Sequence, residues 1–105
     1  MFYRRKVLLS LMQLFNWEIE KIKLQKLLFL LSERQQGAEY QFVPYKYGCY
    51  SFSLKADLIT MVKKGILSET ASSYIIPTKT DYFKLIKDDD KRIIREIKKY
   101  YGEMS

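Results

Sequence analysis

Residues 51–65 read Ser-Phe-Ser-Leu-Lys-Ala-Asp-Leu-Ile-Thr-Met-Val-Lys-Lys-Gly, and the fold turns on this stretch. Leu54, Leu58, Met61 and Val62 recur at i, i+4, i+7 and i+8, the stripe of an amphipathic helix. Ser51 stands where an N-cap belongs and Gly65 where a helix passes into the left-handed region, so the spacing predicts a helix over 52–64. Immediately downstream, residues 66–69 and 74–76 are two short β-prone runs separated by Thr70, Ala71, Ser72 and Ser73, a hairpin pattern that Pro77 closes. A helix followed at once by a hairpin is the second half of a winged helix-turn-helix.

The upstream sequence supplies the first half. Val7, Leu8, Leu11, Leu14 and Phe15 predict a helix over 3–15 that ends at Asn16. Leu24, Leu27, Leu28 and Leu31 predict a second, central to the core. It begins near Glu18 to Glu20, whose carboxylates suit a helix N-terminus, and stops between Arg34 and Gly37. Between the second and third helices, residues 40–50 are aromatic and β-prone but broken by Pro44 and Gly48, which predicts an extended segment or edge strand with a tight turn at Gly48. Beyond the hairpin come a helical turn or two over 81–87 and a last helix over 89–101. Its stripe is Ile93, Ile97, Tyr100 and Tyr101, with Asp88 to Asp90 at its start and Lys98 and Lys99 at its end, as the helix dipole favours. The expected fold is mainly α with a small β-hairpin: one winged helix-turn-helix domain over residues 1–105 with a C-terminal helical extension.

Composition narrows the function. The chain has 105 residues, 48% apolar and 30% charged, enough for one small core. With no His and one Cys, it cannot build a zinc finger, a Cys-His dyad, a Ser-His-Asp triad or an intrachain disulfide. No catalytic constellation, cofactor motif or metal site emerges, and a non-catalytic binding module is expected. Nineteen Lys and Arg against 12 Asp and Glu leave a net charge of +7, which favours an anionic partner, nucleic acid first. Arg4, Arg5 and Lys6 before an apolar run imitate a signal peptide, but Asn16-Trp17-Glu18 offers no cleavage site and the apolar positions keep helical spacing. The next apolar run, residues 27–31, falls far short of the roughly 20 a membrane span needs. A lone Cys49 fits a reducing compartment, so the expected location is cytoplasmic.

At Lys23-Leu24-Gln25-Lys26-Leu27-Leu28-Phe29-Leu30-Leu31, then Phe42-Val43-Pro44-Tyr45-Lys46-Tyr47-Gly48 and Tyr50-Ser51, the chain resembles a bacterial winged-helix family of phage-associated and antitoxin-like proteins, the Panacea or SocA-like group. The shared pattern covers residues 21–67, although many members carry Pro where this chain has Cys49. The resemblance implies a winged helix acting through macromolecular contacts as antitoxin, adaptor or DNA-binding module, with no catalytic residues to carry across. The chain is also similar to the N-terminal module of larger uncharacterised bacterial proteins.

Two surfaces are candidates. The leading expectation is DNA binding through the third helix in a regulatory or targeting role, and the alternative is a protein-interaction module of antitoxin or adaptor type using the aromatic segment 42–52. On the third helix Ser51, Ser53, Lys55, Thr60, Lys63 and Lys64 are small or basic residues able to meet phosphates and base edges of double-stranded DNA. A dimer reading two half-sites is compatible with that use. Asp57 weighs against it, and the loop over 70–73 holds no Lys or Arg. Tyr45, Lys46, Tyr47 and Tyr50, with Phe52, crowd one short segment where rings interleaved with a base can anchor a protein partner or stack on nucleobases, unless they pack between helices. Arg4, Arg5 and Lys6 oppose the dipole of the first helix, and phosphate binding or plain solvation would account for them.

Overall fold

The apolar run near the N-terminus forms α1 (Tyr3–Leu14), in which six consecutive residues from Val7 to Met12 are buried. Burial through more than a full turn means that neighbours surround this helix, so it, more than the second helix, is the centre of the core. Ser10 tolerates that position because its hydroxyl donates to the Lys6 carbonyl, 2.6 Å away. The computed structural model describes residues 1–46 and 48–102.

Asn16 and Trp17 both take φ of 70°, a left-handed pair that is costly for a bulky side chain. Two backbone bonds hold the reversal: Trp17 N–H donates to the Met12 carbonyl at 2.9 Å, and the Trp17 carbonyl accepts from Ile76 N–H at 2.8 Å. The chain then enters β1 (Glu18–Glu20). These residues are a strand and not the start of the second helix. The Glu-Ile-Glu alternation buries Ile19 alone, and β5 (Ser73–Ile75) supplies the antiparallel partner. β4 (Ser68–Glu69) pairs with the other edge of β5, giving a three-stranded antiparallel sheet in the order β1-β5-β4.

The second helix, α2 (Lys21–Arg34), buries the expected Leu24, Leu27, Leu28 and Leu31. Residues 40–50 form more than one extended segment: β2 (Val43–Tyr45) and β3 (Gly48–Tyr50) make a separate two-stranded hairpin, with Gly48 at φ 118° opening β3. Pro44, without an N–H, cannot extend that pairing on its own strand. The third helix, α3 (Phe52–Lys63), starts where Ser51 Oγ accepts from Leu54 N–H at 3.2 Å. It ends through Gly65 at φ 77°, where Ile66 N–H returns to the Met61 carbonyl at 2.9 Å.

A 3-10 turn (Phe83–Leu85) leads to α4 (Asp88–Tyr101), which packs on α1 and α2. Its buried face is Ile93, Ile94 and Ile97, whereas Tyr100, expected on the stripe, is 68% exposed. Asp90, also expected only to favour the helix start, is buried and accepts from the Tyr3 hydroxyl and from Gln35 Nε2, which ties the head of α4 to α1 and to the end of α2. The described residues thus form four helices with small antiparallel sheets. Among them no helix is long and apolar enough to cross a membrane.

Candidate binding surface

Asp57 does not face outward. It is 1% exposed, with Oδ2 accepting from Arg4 Nε at 2.7 Å and from the Tyr40 hydroxyl at 2.8 Å, and Oδ1 from Arg4 Nη2 and Arg5 Nε, each at 3.0 Å. Burial alone would raise this carboxyl, but the bonds from Arg4, Tyr40 and Arg5 outweigh it and hold it below the usual carboxylate range. The network joins α1 to α3 and removes both the carboxylate and two of the three N-terminal cations from the list of free surface charges. Arg4 and Arg5 are therefore explained by an internal counter-charge without any phosphate.

Tyr3 and Tyr40 both donate to carboxylates, and this has a pH signature. Burial and then the bond to Asp90 push Tyr3 up to about 12; burial and then the bond to Asp57 push Tyr40 upward as well. Because both folded values lie above the ordinary 10.0, their stabilisation is complete below that pH and is lost as pH rises toward the folded values. The thermal midpoint of the wild type is expected to fall more steeply above about pH 10 than that of a Tyr3→Phe/Tyr40→Phe double variant. Equal slopes would show that neither hydroxyl carries this linkage.

With Asp57 turned inward, the outer side of α3 carries Lys55, Lys63 and Lys64, all exposed, with Thr60 and Ser53 half-buried. Ser51 is not part of that face. Its hydroxyl is buried in the cap of α3 and also lies 3.2 Å from Ser53 Oγ, so it cannot serve as a DNA contact. Two large apolar residues stand among the lysines: Phe52, 64% exposed, which the sequence already groups with the aromatic segment, and Ile59, 46% exposed, which belonged to neither candidate surface. The available signal for Ile59 was its position off the Leu54/Leu58/Met61 stripe, a large apolar group on the polar side of an amphipathic helix.

The β2–β3 hairpin meets this face at the N-terminal end of α3. Ring centroids lie 5.1 Å apart for Tyr45 and Tyr50, 4.9 Å for Tyr50 and Phe52, and 6.1 Å for Tyr45 and Phe52, the first two edge-to-face as aromatic quadrupoles prefer. Tyr50 is half-buried, Tyr45 is 49% exposed, and Lys46 is exposed at the turn. Gln25 Nε2 donates to the Cys49 carbonyl at 3.2 Å and anchors β3 to α2. Tyr47, named with these residues from the sequence, lies outside the described residues.

The β4–β5 hairpin offers little to an anion. Its loop has no base, and Glu69 is held by Lys21 Nζ at 2.6 Å. Among the described residues no group of three or more acidic, Cys or His side chains could hold a metal ion, and Cys49 is an exposed free thiol on β3. Comparison with protein-family models, curated proteins and solved structures gave no match.

Proposed function

We propose that the chain is a winged helix-turn-helix domain with a hairpin set between its second and third helices, and that it is a non-catalytic docking module for a protein partner. The observation that carries this reading is the ring cluster at the head of α3, in which Tyr45 and Phe52 are exposed and lean on the half-buried Tyr50. Rigid aromatic side chains are enriched at the energetic centres of protein interfaces because they bury much area for little lost rotamer freedom. The helix-turn-helix mode of DNA reading directs the N-terminal end of the recognition helix at base edges, and here the rings crown that end. The resemblance to Panacea or SocA-like proteins supports the same reading and makes an antitoxin or adaptor role in the cytoplasm the natural setting.

A second reading, double-stranded DNA lying along α3, is favoured by the exposed Lys55, Lys63 and Lys64 and by the burial of Asp57. A photo-crosslinking residue placed at position 45 or 59, in the cells that make the protein, separates the two. A discrete adduct that resists nuclease, absent when the crosslinker replaces the exposed Tyr100, is expected. Adducts that disappear with nuclease would transfer the face to DNA, and identical adducts from positions 45 and 100 would remove the docking function from it.

A further inference from the structure

The outer side of α3 is not uniformly apolar or basic. Phe52, Lys55, Ile59 and Lys63 follow one another at steps of three, four and four, so all four lie along one stripe of the helix. Phe52 and Ile59 are two turns apart, about 10 Å along the axis at 1.5 Å per residue, with Lys55 between them and Lys63 one turn beyond. Tyr45 stands beside Phe52 as an end wall.

Charge on this side is one-signed. Between residues 40 and 67 the bases are Lys46, Lys55, Lys63 and Lys64, and the one carboxylate is Asp57, which Arg4, Arg5 and Tyr40 have sequestered. Glu69, an exposed acid on β4, is engaged by Lys21, whose hydrogen bond lowers its carboxyl, with Lys55 lowering it further. A partner must therefore bring its own negative charge to Lys55 and Lys63. It must also bring apolar side chains for Phe52 and Ile59, which a phosphate backbone does not have.

Resting on the docking reading above, we infer that the ligand of this face is an acidic amphipathic helix. It lies along α3 with large apolar side chains two turns apart and Asp or Glu between them. Helices present such alternation at the spacing that α3 itself shows, and helix-on-helix docking reads i, i+3, i+7 anchors. Apolar contacts supply the affinity, while the lysines select against basic partners and speed encounter.

The test is a random-peptide display library selected on the full chain and counter-selected on a Phe52→Ala/Ile59→Ala variant. Both side chains are exposed, so circular dichroism should show that variant folded. Expected are peptides with acidic residues and large apolar residues at helical spacing, whose binding falls about tenfold or more in Lys55→Glu/Lys63→Glu and weakens with salt. Enriched peptides that are neutral or basic would overturn the acidic partner and leave the docking face standing. Peptides that bind the counter-selection variant equally well, or no enrichment at all, would overturn both. A mixed-sequence duplex that binds as tightly as the best peptide, and loses affinity in the lysine variant but not in Phe52→Ala/Ile59→Ala, would assign the face to DNA and overturn the inference.

Discussion

Replacing Asp57 by Ala is expected to destabilise the protein by about 3 kcal/mol, the loss seen when one partner of a buried ion pair is removed, and to lower the thermal midpoint by roughly 10–20 °C. The carboxylate is 1% exposed, and the side chains of Arg5 and Arg4 are 14% and 32% exposed. Without Asp57 the Arg5 guanidinium is largely buried with no counter-charge, and the Tyr40 hydroxyl, buried behind it, has lost its acceptor. Arg4, a third exposed, can turn toward water, which places the expected loss at the lower end of the range for buried pairs. Since the folded carboxyl is held below its ordinary 3.8, the stabilisation is fully present above about pH 4 and is lost as pH falls from there toward the folded value. In thermal melts the gap between wild type and Asp57→Ala should therefore be full near pH 7 and begin to narrow as pH falls below about 4. Replacing the group jointly by apolar residues, Arg4→Met, Arg5→Met, Tyr40→Phe and Asp57→Leu, should recover much of the loss, because it is the unpaired partners that are costly. A single Asp57→Ala variant within about 0.5 kcal/mol of wild type, the range of ordinary surface changes, would mean that the network stabilises little.

Local pattern made the helices and the β4–β5 hairpin legible, because each follows from spacing within a dozen residues. What spacing does not carry is the identity of distant neighbours. Glu18-Ile19-Glu20 has the alternation of a strand and the charge of a helix start, and the presence of β5 decides between them. Asp57 reads as one more polar residue on an amphipathic helix until α1 brings Arg4 and Arg5 against it. Ser51 illustrates a conflict visible in one dimension: a hydroxyl that caps α3 is committed to backbone, so the cap and the DNA contact were never compatible roles. Ile59 was legible in the same way, since it falls opposite the core stripe on the same side of the helix as Phe52, and adjoining exposed apolar groups mark a contact surface.

Ile94→Ala is expected to cost about 3 kcal/mol, within the range for deleting buried methylenes where neighbours only partly collapse into the cavity. Tyr100→Ala, on the same helix, should stay within about 0.5 kcal/mol. The sequence stripe of α4 gives the opposite expectation for Tyr100, which is the larger apolar group. The difference follows from the packing: Ile94 is 0% exposed where α4 closes over α1 and α2, whereas Tyr100, near the end of the helix, is 68% exposed. Urea denaturation with an unchanged slope would report the pair directly. A loss for Tyr100→Ala equal to that for Ile94→Ala would place the wrong side of α4 on the core. Neither residue belongs to the ring cluster of Tyr45, Tyr50 and Phe52. Well below the midpoint, Ile94→Ala should therefore bind a selected acidic peptide like wild type while being much easier to unfold. That separation is the signature of a docking face carried by α3 and its hairpin on a core that α4 closes.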